Sequence, residues 1–273
     1  MFLSYSDTVP ATNLVVEEQV VKKLANNEMM VYFLPIDQGE ATLLQLPNES
    51  FYLIDTGSTA FAEDLIRILY EHGVNRLKGL FLTNNSKEHI GSLNVLLNNY
   101  PIEYIYIPEL TASTYPIPRS NSAKIIPLKT DEKLFLGDQV ELTVLFPSEP
   151  LSLSPQVNSL VLHLVHQDVE FLFTGEINEE VENRLIEKYS LRSKILKVSD
   201  FGSNEGSSSQ FLQEVDPQVA IIFSSDPNLY QADEETLERL NETWVDVYQI
   251  KNHGEIQVIS DGNDYQLEII RDN

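Results

Sequence analysis

One segment of the chain, Leu82-Thr83-Asn84-Asn85-Ser86-Lys87-Glu88-His89-Ile90-Gly91-Ser92, has the form of a metal-binding loop. An apolar run at residues 79–82 leads into it, and a run compatible with a helix, residues 90–97, follows it. Polar side chains of the size that binds metal ions lie between these runs. Only one of them, His89, is a histidine. The segment therefore resembles a metal loop from which most of the usual ligands are missing.

The composition predicts an ordinary globular protein with a strongly acidic surface. The 273 residues include 42 acidic and 18 basic side chains, for a net charge of −24, and no cysteine. This charge repels phosphate backbones and anionic membranes, so no strong electrostatic binding of nucleic acid is expected. The missing cysteines exclude disulfides and cysteine-ligated zinc. No run reaches the ~18 apolar residues of a transmembrane helix, and no signal peptide is visible, which favours a cytoplasmic over an extracellular location.

The order of strand and helix signals predicts one large domain. Residues 1–28 read as a polar lead-in with a short helix at 15–24, and residues 29–273 as the domain itself. Each half of that domain starts with a run of strands and continues with strands and helices in alternation, including helices at 61–72, 89–98 and 178–189. The pattern predicts an α/β (α+β) fold in which two mixed sheets pack face to face, with helices on the outside.

Several segments, taken together and in order, resemble one branch of the metallo-β-lactamase superfamily. They are Phe-Leu-Pro-Ile-Asp-Gln-Gly-Glu-Ala at 33–41, Ile-Asp-Thr-Gly at 54–57, the loop at 83–92, Asn-Ser-Leu-Val-Leu at 158–162, Phe-Thr-Gly-Glu at 173–176, Lys-Val-Ser-Asp-Phe-Gly-Ser at 197–203, and residues 230–240. The branch is the hydrolase-like domain of ComEC-type competence proteins, which import DNA. The resemblance implies an αββα sandwich with its active site at one edge, where loops that follow the strands converge.

The resemblance also identifies the positions at which the family's active site would lie in this chain. These degenerate positions are Asn84, Ser86, Glu88, His89, Asn158, Glu176, Asp200, Gln231 and Asp233. The family has histidine where this chain has Asn84 and Ser86, and aspartate where it has Glu88 and Glu176. Its later His-His and His-Pro-His pairs correspond here to Asp-Phe at 200–201 and Gln-Ala-Asp at 231–233. The scaffold residues persist while the ligand positions have changed.

Zinc chemistry is not expected at such a site. A dinuclear zinc hydrolase needs several neutral imidazoles besides its carboxylates, and neither an amide nor a hydroxyl is a good zinc ligand. The remaining set, Glu88, His89, Glu176 and Asp200, is rich in oxygen and suits one hard cation such as Mn²⁺ or Mg²⁺ better. The main expectation is that no metal binds and that no residue is catalytic.

Each remaining polar residue also has a structural interpretation. Glu88 fits the first turn of a helix, where an acidic side chain is favourable. His89 is expected to bond a neighbouring carboxylate, and Glu176 and Asp200 are expected to cap helices or turns.

Three functions stay open at this point. The preferred one is a catalytically degenerate protein, related to competence and DNA-uptake proteins, with a binding or regulatory role. The second is a metal-dependent hydrolase of phosphodiesters or nucleic acids with a single altered metal site. The third is an interaction module that docks a membrane-protein partner.

Overall fold

The computed structural model describes residues 24–25, 27–36, 38–118, 122–223 and 232–271. Of the helix predicted at 15–24, only Leu24 lies among them, and Gln231 lies outside them. The boundary predicted between residues 28 and 29 therefore stays a prediction.

The described residues form two mixed β-sheets. The first sheet contains, in chain order, β1 (Met29–Phe33), β2 (Thr42–Gln45), β3 (Phe51–Ile54), β4 (Leu77–Phe81), β5 (Ile102–Pro108), β6 (Lys124–Leu128), and later β14 (Glu255–Ser260) and β15 (Tyr265–Ile270). The second contains β7 (Lys133–Gly137), β8 (Val140–Phe146), β9 (Val161–His166), β10 (Val169–Phe173), β11 (Ile195–Lys197), β12 (Val219–Ile222) and β13 (Asp246–Gln249). The spatial orders are β15-β14-β1-β2-β3-β4-β5-β6 and β13-β12-β11-β10-β9-β8-β7.

Helices lie on the outer faces of both sheets. They are α1 (Ala62–Glu71), α2 (Lys87–Ile90), α3 (Leu93–Asn99), α4 (Glu179–Lys188), α5 (Ser209–Val215), α6 (Glu234–Glu242) and α7 (Ile250–His253). Among them, α1 and α3 pack on the first sheet and α4, α5 and α6 on the second. None of the described helices is long and apolar enough to cross a membrane.

The central strands, such as β1, β2 and β12, are buried on two sides, which explains their continuous apolar runs. Along β1, Met29, Val31 and Phe33 face the second sheet, whereas Met30 and Tyr32 face the outer helices. Side chains alternate between the faces of a strand, so a strand covered on both faces needs apolar residues at every position. The predicted sandwich of two mixed sheets with outer helices is confirmed.

One predicted helix is interrupted in the structure. The helix expected at 89–98 is divided into α2 and α3, because tertiary hydrogen bonds use the backbone between them. The hydroxyl of Ser92 donates to the carbonyl of Ser58 (2.6 Å), the Ser92 amide donates to the carbonyl of Gly57 (3.2 Å), and the hydroxyl of Thr59 donates to the carbonyl of Gly91 (2.9 Å). These bonds fix the metal-loop segment against the turn that follows β3.

Candidate functional site

The loops that carry the candidate residues meet where several strands end. β3 and β4 are parallel neighbours in one sheet, and β10 and β11 are parallel neighbours in the other. Parallel neighbours place their carboxyl ends at the same edge of a sheet, where ligand sites of open α/β sheets are usually built. Asp55 follows β3, Thr83 follows β4, Glu176 follows β10 and Asp200 follows β11. A backbone bond from Leu160 to the carbonyl of Thr83 (2.7 Å) joins the two sheets here.

A glycine makes the closest backbone approach in this region. Gly39 has φ +98°, and a Cβ at this position would lie 2.0 Å from the carbonyl oxygen of Glu88. The amide of Glu40 donates to the same carbonyl (3.1 Å). Only glycine fits a position with positive φ and so little space. The Gln-Gly pair at 38–39 therefore brings the loop before β2 into contact with the metal-loop segment.

His89 lies at the centre of the site and is fully buried. Its Nδ1 lies 2.7 Å from Oδ2 of Asp55 and 2.9 Å from the hydroxyl of Thr83. Its Nε2 lies 2.8 Å from Oε1 of Glu176. Both ring nitrogens therefore contact oxygen atoms of this chain, and the structure agrees with the interpretation of His89 as a residue that pairs with carboxylates.

Asp55 is fixed by the residue that opens the metal loop. Its Oδ1 accepts a hydrogen bond from the backbone amide of Thr83 (2.8 Å), and its Oδ2 accepts one from the Thr83 hydroxyl (2.5 Å). Asp55 itself has φ +60°, in the left-handed region that most residues avoid. The orientation of His89 thus depends on a backbone turn that ends β3.

A second buried ion pair lies beside the first. Nζ of Lys197 lies 2.5 Å from Oε1 of Glu40 and donates to the carbonyl of Gly175 (2.9 Å). The other oxygen of Glu40, Oε2, lies 4.0 Å from Nδ1 of His89. The side chains of Lys197 and Glu40 are 3% and 5% exposed, so their charges are compensated within the protein and not by water.

The pKa of His89 follows from these contacts. Burial lowers it, but the charges of Asp55 and Glu40, together with the contacts to Asp55 and Glu176, raise the pKa of His89 well above its ordinary value. Burial also acts on Glu176, yet the contact with His89 outweighs it and lowers the pKa of Glu176. These contacts favour the protonated form of His89, whereas a metal-ligating histidine must be neutral.

The two residues at the family's histidine positions bond to the protein. Oδ1 of Asn84 accepts from the amide of Ser86 (2.8 Å), and its Nδ2 donates to the hydroxyl of Ser159 (3.1 Å). The hydroxyl of Ser86 lies 3.3 Å from Oε1 of Glu176. The Ser159 hydroxyl also accepts from the amide of Glu176 (3.1 Å). Asn84, Ser86 and Glu176 thus form one hydrogen-bonded group that needs no ion.

Asp200 and Phe201 occupy the place where the family has two histidines. Both have left-handed backbones, with φ 44° and 53°. The hydroxyl of Ser203 donates to Oδ2 of Asp200 (2.6 Å), and burial raises the pKa of Asp200. The buried Phe201 ring lies edge-on to the His89 ring, 6.0 Å between centroids. An apolar ring therefore covers the side of His89 that faces residues 200–203.

The remaining predicted residues either form hydrogen bonds within loops or lie away from His89. Asn158 accepts from the amide of Ser152 (2.8 Å) and donates to its carbonyl (3.0 Å), which closes the loop before β9. Asp233 is exposed and accepts from the amide of Asn204 (2.7 Å). Glu88 lies in the first turn of α2, as predicted.

From the sequence, Glu176 and Asp200 are expected to cap helices or turns; neither caps a helix, although Asp200 accepts a hydrogen bond from the Ser203 hydroxyl within its own turn. The N-cap of α4 is Asn178, whose side chain accepts from the amide of Val181 (3.3 Å). Glu176 instead contacts His89, and Asp200 lies in a left-handed turn. Neither role follows from the position of a residue after a strand.

An acidic cavity of about 360 Å³ opens beside this group. Its lining includes four carboxylate residues together with serine and amide side chains: Glu88, Glu176, Asp200, Glu205, Ser86, Gln156 and Asn178. No lysine or arginine is among the residues that line it. The cavity therefore repels anions and favours cationic groups.

Sequence reasoning missed four residues of the centre: Glu40, Asp55, Thr83 and Lys197. Each lies in a segment that the resemblance already contains, but none is a ligand position there. The sequence shows that these four side chains can form hydrogen bonds. It does not show that they lie together, because that depends on the pairing of β3 with β4 and of β10 with β11.

Comparison with known proteins agrees with the architecture. The sequence pattern of the metallo-beta-lactamase superfamily matches residues 34–225. This chain belongs to the metallo-β-lactamase superfamily. The match includes the loop at 82–92 and the turns that carry Asp55, Glu176 and Asp200, so the predicted family is confirmed.

The sequence relatives of this metallo-β-lactamase domain include competence proteins. ComE operon protein 3 of Bacillus subtilis is 25% identical over 257 residues, which cover 85% of this chain and 33% of that protein. Competence protein ComA of Neisseria gonorrhoeae is 30% identical over 210 residues, which cover 75% of this chain and 28% of that protein. The chain thus spans about a third or less of the length of these relatives.

Solved structures with the same fold are more distant in sequence. The metallo-β-lactamase fold protein YhfI from Bacillus subtilis has a TM-score of 0.60 at 13% identity, and the match covers 84% of this chain and 99% of that one. Zn²⁺-bound PqqB from Methylobacterium extorquens has a TM-score of 0.52 at 10% identity, over 77% and 85% of the two chains. These likenesses support the fold alone.

The residues of this chain do not fit the dinuclear zinc centre that the superfamily implies. Asn84 and Ser86 supply an amide and a hydroxyl in place of imidazoles, and Phe201 supplies no donor. Among the described residues, the acidic and histidine side chains whose ligand atoms lie within 4.8 Å of one another are Glu40, Asp55 and His89. Lys197 already provides a cation at Glu40. The chemistry of the donors therefore disagrees with zinc.

Proposed function

We propose that this chain is a non-catalytic metallo-β-lactamase domain that acts by binding, in a role related to competence and DNA internalisation. One observation carries the proposal: carboxylates of this chain contact both nitrogens of the His89 imidazole, Asp55 through a hydrogen bond at 2.7 Å and Glu176 at 2.8 Å without the alignment of a hydrogen bond. A buried ion pair that loses one partner is costly, so these contacts stabilise a centre without metal.

The charge of the cavity supports a binding role over phosphodiester hydrolysis. Glu88, Glu176, Asp200 and Glu205 all line it, and the whole chain has a net charge of −24. A phosphodiester brings further negative charge and would need a cation to enter such a cavity. A ligand with a cationic group, including a basic side chain of a partner protein, meets no such barrier.

The relation to competence rests on the sequence relatives. Two of them bear competence or ComE operon names, and this chain matches only a third or less of each. A regulatory or docking role beside a membrane-protein partner fits a chain with the domain and without its metal ligands.

A second candidate is a metal-dependent hydrolase with one carboxylate-rich metal site. The observation in its favour is the proximity of ligand atoms from Glu40, Asp55 and His89. Mn²⁺ or Mg²⁺ would suit such oxygen donors better than Zn²⁺. Against it, a metal ion there would compete with the Lys197 ammonium for Glu40 and with the Asp55 contact of His89.

Metal analysis and activity assays of the purified protein separate the two candidates. The protein is analysed for bound metal and then assayed for nuclease and phosphodiesterase activity with Mn²⁺, Mg²⁺ and Zn²⁺ in turn. We expect no stoichiometric metal and no turnover above buffer. A stoichiometric metal that is lost in His89→Gln, together with turnover, would establish the hydrolase instead.

A further inference from the structure

We infer that Glu176 excludes metal ions from this centre, because its carboxylate occupies the one nitrogen of His89 that a metal could bind. The inference rests on the proposed function and adds the residue responsible.

Only one nitrogen of His89 is available for coordination. Nδ1 is shared between Asp55 and Thr83, at 2.7 and 2.9 Å. Nε2 is the remaining donor, and it lies 2.8 Å from Oε1 of Glu176. Metal-bound nitrogen and oxygen each lie about 2.0–2.2 Å from the ion, so two ligands are roughly 2.8–3.1 Å apart at an angle of 90° and roughly 3.3–3.6 Å apart at the tetrahedral angle. At 2.8 Å the carboxylate oxygen of Glu176 is in direct contact with Nε2, and this distance is shorter than the spacing of two ligands on a tetrahedral ion.

The length of the Glu176 side chain produces this contact. Its backbone is fixed, because its amide donates to the hydroxyl of Ser159 (3.1 Å) in the turn after β10. Aspartate at the same backbone position would hold its carboxylate one methylene, about 1.5 Å, further back. The extra methylene of glutamate therefore lets the carboxylate reach the ring.

Neighbouring side chains keep the pair closed. The ring of Phe201 lies edge-on to His89 at 6.0 Å, and His89 is completely buried. The hydroxyl of Ser86 lies 3.3 Å from the same oxygen of Glu176. Entry to Nε2 thus requires that the carboxylate of Glu176 moves.

Removal of that carboxylate would open a site for a hard divalent cation. Glu88 and Asp200 line the same cavity as Glu176 and offer carboxylate oxygens, and His89 would offer Nε2. Oxygen-rich sets with one imidazole suit Mn²⁺. We therefore expect Glu176→Ala to gain a metal site that the unmodified protein lacks.

The test titrates Mn²⁺ into metal-stripped full-length protein by calorimetry and follows thermal unfolding of the same samples. Glu176→Ala is expected to bind one equivalent, and at 100 times Kd its Tm is expected to rise by about 5 °C. The unmodified protein and Glu205→Ala are expected to show neither effect. Glu205 is the matched control, because it lines the same cavity but, among the described residues, is not one of those that His89 pairs with.

Two results would overturn the inference. One is stoichiometric Mn²⁺ binding by the unmodified protein that His89→Gln abolishes. The other is a folded Glu176→Ala protein that binds no Mn²⁺, since exclusion would then have another cause. In that second case a metal-free, inactive parent protein leaves the proposed function intact, whereas phosphodiester turnover by the parent protein would refute the proposed function itself.

A measurement on the unmodified protein decides the matter if Glu176→Ala does not fold. Histidine-selective ¹⁵N spectra are recorded with and without excess Zn²⁺. An unchanged Nε2 resonance of His89 supports exclusion, because the Glu176 contact is retained. A shift of that resonance on addition of Zn²⁺ overturns it.

Discussion

At the scale of single residues, the centre consists of buried carboxylates paired with basic side chains. Three carboxylates, from Glu40, Asp55 and Glu176, face two cations, Lys197 and His89. Unpaired buried charges are far more costly than paired ones. The pairing holds these buried carboxylates beside basic side chains of the same chain.

Lys197→Met tests this compensation by leaving Glu40 buried without its partner. We expect the free energy of unfolding to fall by about 3–5 kcal/mol, as for other broken buried pairs. Urea denaturation measures it. Lys133→Met is the matched control, because Lys133 forms an exposed ion pair with Glu141 at 2.6 Å and its loss should cost at most about 1 kcal/mol. Equal costs for the two variants would contradict the role of Lys197.

The raised pKa of His89 predicts a pH dependence of stability with a definite sign. A folded pKa above the unfolded value of about 6.5 stabilises the protein fully below pH 6.5, and this contribution is lost as pH rises toward the folded pKa. The advantage of the parent protein over His89→Gln should therefore shrink by about 1.4 kcal/mol per pH unit above pH 6.5. Denaturation curves between pH 5 and 9 measure it.

His163 provides a control, because its contribution to stability is expected to change with pH in the opposite direction. Burial lowers the pKa of His163. A lowered histidine pKa removes stability at acid pH, so the advantage over His163→Gln should grow with pH and only below about pH 6.5. A difference between the parent protein and His89→Gln that does not change with pH would show that His89 is not charged by its neighbours.

At the scale of elements, the site depends on loops that other elements hold in place. The carboxylate of Glu182, on α4, accepts from the amides of Ser207 and, at 2.9 Å, Ser208. Arg239, on α6, donates to carbonyls of the same loop. The serine-rich loop at 202–209 is therefore fixed by charged side chains of two helices.

Gly39→Ala tests the approach of the loop before β2 to the metal-loop segment. A Cβ there would lie 2.0 Å from the carbonyl of Glu88 at φ +98°. Overpacking and an unfavourable φ together should lower the free energy of unfolding by about 3 kcal/mol, measured by denaturation. Gly137→Ala is the control, because its Cβ would meet nothing closer than 3.4 Å. A loss below about 1 kcal/mol at Gly39 would show that the loop moves aside.

At the scale of the whole molecule, the net charge of −24 governs long-range interactions. The cavity at the centre has the same sign. Non-specific binding of nucleic acid depends on cations that neutralise phosphates and release counterions. A relation to competence proteins therefore does not by itself imply that this domain holds DNA.

Fluorescence anisotropy with labelled single- and double-stranded DNA tests this conclusion. We expect no saturable binding at 50 mM salt up to about 100 μM protein, the range of typical non-specific affinities. The same titration with Mg²⁺ shows whether a cation changes the result. Saturable binding that weakens steeply with salt would contradict the expectation.

Part of the site can be predicted from the sequence alone. Motif order predicted the sandwich, and the changed ligand positions, including Asn84, Ser86 and Glu176, identified an altered centre. The break between α2 and α3 cannot be predicted in this way, because it depends on hydrogen bonds that join Gly91 and Ser92 to a turn more than 30 residues earlier. Sequence periodicity reports only local preference, and tertiary hydrogen bonds override it.

The sequence by itself determined the family, the architecture and the donors present around His89, because these follow from residue identity and order. Only the tertiary structure decided what those donors do. Strand pairing brings Glu176 to Nε2 of His89 and Lys197 to Glu40. Whether a carboxylate binds a metal, a lysine or an imidazolium depends on distances of a few ångströms between residues far apart in the chain. The reason is that the Coulomb energy of two charges in a buried site is large only when they lie a few ångströms apart.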